Sequence, residues 1–551
     1  MKILWLDINS SYSHSSVALP AIHAQVSDRS DWEWSVVRGT INDNPGTLAA
    51  AVAEQNPDVI AATLWLFTHQ MQIEVLSRAV QLLDGVKVVC GGPEFLGNNE
   101  DFLRRNQFVT AIIKGEGENA LPALLDKIET PAAWDKIEGL CWISPDNKAY
   151  HDNGIARVSD FASLKYPEES PFFKWDKPFV QLETTRGCFN TCAFCVSGGE
   201  KPVRYQSVEQ VAARLENICS HGIQDIRVLD RTFNYDTRRA CEMLDLFSKY
   251  SGKMRFHLEI HPSLISDVLK EKMKTLPKGL LHLEAGIQSL NNTVLNTSGR
   301  KGSLESSLKG LEYLSSLDNL ETHADLIAGL PEYSLDMLCK DISELVSIGV
   351  DELQVESLKV LPGTRMREMA EEKELKYSPL PPYEILQTPA MSPKELRTAM
   401  QVSRMLDFYY NAKAWQKVTR TLICENEGFI AEFTEHLSKI MVLDSPLSLE
   451  RRGVILYEYC KTHHPNRLTE ISIAWIEAGC SLKKEPAGDI TKIKNLDAYL
   501  QGCNLNMSAK YGIAAPSHRY FLLSSSDSRL IFGYDSELHQ PSPVFMAELL
   551  K

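Results

Sequence analysis

The chain has no apolar run long enough to form a membrane-spanning helix. Its longest, residues 59–67, falls well short of the ~20 residues such a span requires. It also has no surplus of basic charge: 58 Lys and Arg stand against 72 Asp and Glu, a formal net charge of −14. Broad nucleic-acid binding is therefore disfavoured, although a local basic patch stays compatible with RNA. No internal repeat and no low-complexity tract occurs, which excludes solenoids and long disordered tails. Met1-Lys2 runs directly into Ile3-Leu4-Trp5-Leu6 and then polar residues, without the pattern of a secretory signal. A cytoplasmic protein is expected. Nine of the 12 cysteines are scattered: Cys90, Cys141, Cys219, Cys241, Cys339, Cys424, Cys460, Cys480 and Cys503. In such a protein they read as reduced core thiols, not disulfides.

What remains is an ordinary globular composition, 44% hydrophobic and 24% charged. Its 551 residues suggest three or four domains at ~100–200 residues each. The first part alternates apolar strands at 3–6, 34–37, 58–66, 86–90 and 111–114 with helical stretches at 15–26, 47–54 and 72–83. Continuous apolar strands in alternation with helices predict a doubly wound parallel sheet. Its ligand site is expected beyond the carboxyl ends of the strands, where Gly91-Gly92-Pro93-Glu94 and Gly115-Glu116-Gly117-Glu118 lie. Residues 140–143 and 149–150 around Pro145-Asp146-Asn147 read as a hairpin, and 163–177 as a linker.

A second alternating series starts at Phe179, with strands at 180–184, 226–229, 255–260, 281–287, 322–327 and 352–360. With helices between them, these predict a partial (β/α)6 barrel, whose chemistry belongs at the carboxyl ends of its strands. Beyond about residue 392 the pattern becomes helical, at 393–411, 429–438, 449–462 and 468–478, and closes with a polar, irregular stretch at 508–543. Tyr409 and Tyr410 read as a packed helix face. The domains expected are 1–135, a hairpin and linker at 136–177, a barrel at 178–392 and a mainly helical region at 393–551.

The three remaining cysteines fall in one segment after the first barrel strand, Thr184-Thr185-Arg186-Gly187-Cys188-Phe189-Asn190-Thr191-Cys192-Ala193-Phe194-Cys195. A structural zinc site closes with four ligands, and an iron–sulfur cube offers four irons to ligate. Three thiolates in one loop leave one position open, and Phe194 stands where it can shield a cluster from water. A zinc knuckle with a distant fourth ligand remains the rival.

With this C-x3-C-x2-C motif the chain resembles the radical S-adenosylmethionine (SAM) superfamily over roughly residues 178–365. The resemblance implies a [4Fe–4S] cluster on Cys188, Cys192 and Cys195, with SAM chelating the fourth iron and cleaved reductively to a 5′-deoxyadenosyl radical. Asp230-Arg231-Thr232-Phe233-Asn234 is similar to an acidic segment of that family. Leu283-Glu284-Ala285-Gly286-Ile287-Gln288-Ser289 resembles its GxQS stretch, and Asp325-Leu326-Ile327-Ala328-Gly329-Leu330-Pro331-Glu332 its D-(hydrophobic)2-GLPxE stretch. By this similarity Glu259 would meet the SAM amino group, Arg300 its carboxylate through a fork of donors, and Gln288 and Asp325 its ribose; Asp230 would also touch SAM.

The N-terminal region, flavodoxin- or Rossmann-like in pattern, resembles the cobalamin-binding domain that precedes some radical SAM barrels. Thr63, Gly91, Gly92 and Gly115 would then contact cobalamin, the glycines by letting backbone approach a large planar cofactor. The D-x-H-x-x-G motif that supplies a histidine to cobalt elsewhere is absent. His69 reads as a loop histidine and Trp65 as core. Residues 402–411 with Pro381-Pro382-Tyr383-Glu384 resemble a C-terminal domain of unknown function found in such proteins. The resemblance implies methyl transfer to an unactivated centre of a small-molecule, lipid-precursor or peptide substrate, with a flavodoxin- or ferredoxin-type reductant. Rearrangement, cyclisation or oxidation without methyl transfer, and a non-catalytic iron–sulfur or zinc protein, are the alternatives.

Overall fold

A computed structural model describes residues 1–503, 506–525, 528–538 and 540–550. The chain divides into two compact units. One comprises Met1–Leu338 and Glu356–Leu396, the other Cys339–Val355 and Arg397–Lys551.

The first unit opens with strands Lys2–Asn9 (β1), Glu33–Thr40 (β2), Val59–Thr63 (β3), Lys87–Gly91 (β4) and Ala111–Ile113 (β5). They run parallel in the order β2-β1-β3-β4-β5. The hairpin Leu140–Ile143 (β6) and Tyr150–Asp152 (β7) then extends the sheet antiparallel at its β5 edge. The apolar strands are continuous because both faces are covered. Ile3, Trp5, Val59, Ala61 and Val89 point into one core and Leu4, Leu6, Ile60, Ala62 and Val88 into the other. The segment 163–177, expected as a linker, is packed. Phe173 and Glu168 are buried, the Gln25 amide donates to the Lys165 carbonyl at 3.0 Å, and the Ser170 hydroxyl lies 3.0 Å from His23 Nδ1.

The second sheet is built from Val180–Leu182 (β8), with the short antiparallel ladder Thr185–Arg186 (β9) and Arg204–Tyr205 (β10) beside its end. Asp225–Val228 (β11), Arg255–Ile260 (β12), Leu281–Gln288 (β13), Glu321–Ala328 (β14) and Glu352–Ser357 (β15) complete it, in the order β15-β14-β13-β12-β11-β8. The linear order leaves the barrel partial. Helices Val208–Ser220, Thr237–Ser248 and Leu304–Ser315 are N-capped by Ser207, Asp236 and Ser303, each side-chain oxygen satisfying an otherwise unpaired backbone donor. A small hairpin, Lys376–Tyr377 (β16) with Ile385–Gln387 (β17), follows.

In the second unit, helices Lys413–Glu425, Phe429–Lys439, Leu449–His463 and Leu468–Glu477 pack around Trp415, Phe433 and Trp475. Tyr409 and Tyr410 are core, 0% and 1% exposed. The irregular ending expected from the sequence is corrected. Asp489–Ile493 (β18), Asn506–Tyr511 (β19), His518–Ser524 (β20), Arg529–Asp535 (β21) and Phe545–Leu550 (β22) form an antiparallel sheet in the order β18-β20-β21-β22-β19. Alternate residues bury against Leu496 and Tyr499 on one face and against Ile473 and Ile476 on the other. No helix among the described residues is long and apolar enough to cross a membrane.

Candidate active site

β8 ends just before Thr184, where the chain must turn toward the cysteines. Asp230, beyond the end of β11, accepts the amide hydrogens of Thr184 and Thr185, each at 2.8 Å, and the Thr184 hydroxyl. Its side chain is buried, and burial holds its pKa up in spite of those donors. The expectation that Asp230 touches SAM is therefore corrected. Both carboxylate oxygens are spent on the backbone that carries the cysteine loop, because buried amides at a strand end need an acceptor.

The loop itself is tied to the segment that carries Arg300. Asn190, 3% exposed, accepts the Lys301 amide at 2.8 Å and donates to the Lys301 carbonyl at 3.2 Å. The Thr191 hydroxyl donates to the Gly299 carbonyl at 2.8 Å, and the Ala193 amide to the Ser298 carbonyl at 2.7 Å. Arg300 is thereby held with Nη1 3.5 Å from Cys192 Sγ, while its Nη2 donates to the Gly286 carbonyl. Cys188 and Cys192 are buried and Cys195 half-buried. Burial pushes the Cys192 and Cys195 thiols up, and each also feels the charge of Cys188. Thiols so placed stay protonated unless a cationic centre sits among them. A donor set of three thiols and no other side chain suits a soft iron–sulfur cluster.

Across the adjoining strand ends lie Glu259 on β12, Glu284 on β13 and Asp325 on β14, with Glu259 directly opposite Glu284 in the register. Burial, and the like charges of Glu284, Asp325 and Asp230, raise Glu259 to about 7, against the pull of Arg231 at 3.7 Å. Because the side chain keeps 41% exposure, an approaching cation can reach it and reverse that shift. Asp325 Oδ1 lies 3.1 Å from His323 Nε2. Gln288 adopts φ 71° at a register shift between β13 and β14, a conformation that costs a non-glycine residue ~1–3 kcal/mol and clusters at functional sites. Glu284 was quoted within a motif but given no role; its place in the alternation of β13 was the signal that located it.

Between the N-terminal sheet and the segments flanking the cysteines is a cavity of about 390 Å³, whose wall includes Arg231 but none of the three cysteines or the acids of β12–β14. Thr63, Gly91, Gly92 and Gly115 line it from the N-terminal sheet, and Thr185, Arg186, Gly187, Val196 and Ser197 from the cysteine loop. It runs down between the sheet and the helices Ala18–Gln25 and Gly117–Leu125, past Ala18, Ala21, Ala61 and Leu121. Small apolar walls of this kind suit a flat organic group. Two details differ from the sequence reading. Trp65 is not core: its side chain is 44% exposed and forms part of the cavity wall, because β3 stops at Thr63. The glycines line the cavity, but their missing side chains face protein. A Cβ on Gly92, at φ 106°, would meet the Leu64 carbonyl at 2.7 Å, and one on Gly115 would strike the Ala156 carbonyl. No histidine lines the cavity among the described residues, so its walls offer a cobalt ion no imidazole.

Residues 182–345 match the model of the radical SAM superfamily, and residues 5–125 that of the B12 binding domain. The chain carries a B12-binding domain followed by a radical SAM domain, the domain of an enzyme. Residues 371–472 match a protein family of unknown function, DUF4080. An uncharacterized methyltransferase of Pyrococcus horikoshii is 27% identical over 70% of this chain and 84% of its own length. The 2-(S-pantetheinyl)-carbapenam-3-carboxylate methyltransferase of Streptantibioticus cattleyicolor is 24% identical over 58% of this chain, which spans about half (49%) of that relative. The radical SAM methyltransferase TsrM from Kitasatospora setae, solved with tryptophan substrate and a SAM analog bound, superposes with a TM-score of 0.58 at 16% identity, covering 71% of this chain and 80% of that one. That likeness establishes the fold.

Proposed function

We propose that this enzyme is a cobalamin-dependent radical SAM methyltransferase. The observation that carries the reading is a cavity walled on one side by the carboxyl ends of the N-terminal sheet and on the other by Thr185, Arg186, Gly187, Val196 and Ser197, the residues flanking the cysteines. Cofactors placed in two separate pockets could not share a substrate; cofactors held at either side of one space can. When bound, the cluster on Cys188, Cys192 and Cys195 would supply an electron to SAM, and cobalamin would carry the methyl group. The chain's own task is to orient and to exclude water. Arg300 presents a guanidinium beside Cys192, suited to the SAM carboxylate where it chelates the cluster. Glu259, at about 7 in the free protein, ionises on meeting the SAM ammonium. Gln288 and Asp325 offer polar contacts to the ribose. Thr63, Trp65 and the small-residue slot would hold cobalamin.

The methyltransferase names of the two sequence relatives support methyl transfer over rearrangement, cyclisation or oxidation. The match of residues 182–345 to the radical SAM superfamily weighs against the zinc alternative. The acceptor is a small-molecule, lipid-precursor or peptide substrate, and the electron comes from a flavodoxin- or ferredoxin-type donor. The test is anaerobic purification with cobalamin supplied, reconstitution with iron and sulfide, and reduction in the presence of SAM. Iron near four per chain, retained cobalamin absorbance and 5′-deoxyadenosine formation are expected, on the stoichiometry of one cube. Bound zinc in place of iron, or no 5′-deoxyadenosine, would sink the radical reading; no retained cobalamin would remove methyl transfer through that cofactor.

A further inference from the structure

The reading above gives the glutamates of the Gly-Glu-Gly-Glu turn no task. We propose that Glu116 and Glu118 clamp the N-terminal sheet to the cysteine loop through Arg204 and Arg186, and that Arg186 is a positioning residue fixing where the loop stands against the cavity. The inference rests on the proposed function only for what is being positioned.

Arg186 lies two residues before Cys188 and is held in the β9–β10 ladder opposite Arg204. Its side chain is largely buried, 14% exposed, with Nη2 2.5 Å from the Glu118 carboxylate and 2.9 Å from that of Glu183, and Nη1 3.4 Å from Glu116. Its guanidinium also lies 4.6 Å from the centre of the Phe161 ring. Arg204 closes the other half, forking onto both Glu116 oxygens at 2.9 and 2.6 Å. Glu116 further accepts the Val158 amide at 2.6 Å. Burial alone would raise Glu116; the Arg204 hydrogen bonds, with Val158 and Arg186, outweigh it and hold the carboxyl below its ordinary value. Both acids sit immediately after β5, at the carboxyl end of the sheet, and both arginines flank the loop. The side chains of Glu116, Glu118 and Arg186 also line the cavity, so the clamp forms part of its wall.

Buried pairs contribute geometry more dependably than net stability, while removing one partner strands a charge. A second anchor follows the same plan: Glu94, of Gly-Gly-Pro-Glu, accepts the Tyr383 hydroxyl and lies 3.7 Å from His69 Nδ1. The two glycine-rich turns thus use glycine to close on their own sheet and glutamate to grip the barrel.

The test is hydrogen exchange on the full chain, with Glu118→Gln and Arg186→Lys beside the wild type. Glu118→Gln is expected to speed amide exchange across residues 185–199 by about tenfold. The helices Val208–Ser220 and Leu304–Ser315 should keep wild-type rates. Arg186→Lys, which keeps a charge but loses the fork, should show a smaller rise in the same segment, and it carries the test alone if the glutamine variant fails to fold. In cluster-reconstituted, cobalamin-free enzyme, Glu118→Gln should also broaden the resonance spectrum of the reduced cluster, although the substitution lies in the other domain. Unchanged exchange in the loop, or acceleration spread evenly over the barrel, would overturn the clamp. A wild type that forms no 5′-deoxyadenosine defeats the radical SAM reading instead, and leaves the exchange comparison standing.

Discussion

Two parallel sheets present their carboxyl ends to one cavity and prepare it in opposite ways. The N-terminal sheet leaves space: Ala61 lines the cavity with the small residues Ala18 and Ala21 of the facing helix. The barrel sheet sets charged groups at its end, Glu183, Arg186 and Arg231 on the cavity wall, with the cysteine loop and Glu259, Glu284, Gln288 and Asp325 off that wall. The first end recognises by volume and the second by chemistry. The first should tolerate changes of polarity but not of size, and the second the reverse.

The largest effect expected lies on the chemical side. Cys192→Ser changes volume little and replaces a soft thiolate with a poor iron ligand, so 5′-deoxyadenosine formation should fall to background while the far-ultraviolet dichroism stays that of the wild type. Activity surviving the change would erase the contrast. On the shape side, Ala21→Leu adds bulk to the slot wall. Cobalamin retention after desalting should drop by about tenfold or more, since overpacking a fitted space forces neighbours apart. Cobalamin-independent cleavage of SAM should continue. If Ala21→Leu and Ala21→Ser weaken retention equally, the slot does not select by size.

Asp230→Asn falls between the two, because Asp230 serves the chemical end without facing it. The amide keeps one acceptor oxygen but turns a donor toward Thr184 or Thr185. A loss of about 1–3 kcal/mol in stability is expected, the cost of leaving a buried group unpaired, read as a lowered denaturation midpoint in urea. SAM affinity measured well below that midpoint should stay within a few-fold of the wild type. A large loss of SAM affinity with unchanged stability would restore Asp230 as a direct contact.

The barrel end was legible because strand alternation and the cysteine spacing both sit in the sequence. β12 was read with its observed bounds, Arg255–Ile260, and β13 to within one residue. The N-terminal sheet was legible as elements, but the reason for its glycines was not, since the Ala156 carbonyl that excludes a side chain at Gly115 comes from 41 residues away. The roles of Glu94, Glu116 and Glu118 were hidden in the same way: their partners are contributed by the barrel. The helix Lys413–Glu425 was missed although Trp415, Val418, Leu422 and Ile423 recur on one buried face, a period the sequence does display. The C-terminal sheet was missed because its apolar runs are short, as in Tyr520–Phe521–Leu522–Leu523, whose two faces pack against different partners.

The smallest effect, and the sharpest on the chemical side, concerns Glu259. Its folded-state pKa of about 7 stands above the ordinary 4.5, so the folded protein holds a proton there that the unfolded chain releases. Below pH 4.5 both states are protonated and Glu259 has no influence on stability. Between 4.5 and 7 the unfolded state loses its proton first and the folded state grows relatively less stable, and above 7 the penalty is constant. The Glu259→Gln protein never ionises at this position. Its thermal midpoint relative to wild type should therefore climb from pH 4.5 to 7 and then level off. SAM binding should move the other way: wild-type affinity should strengthen by up to about tenfold between pH 6 and 8 as the carboxylate appears, the scale of one charge-assisted hydrogen bond. Glu259→Gln should bind more weakly and lose that pH dependence. A variant that keeps the full pH dependence would assign the titration to another group and separate Glu259 from the SAM ammonium.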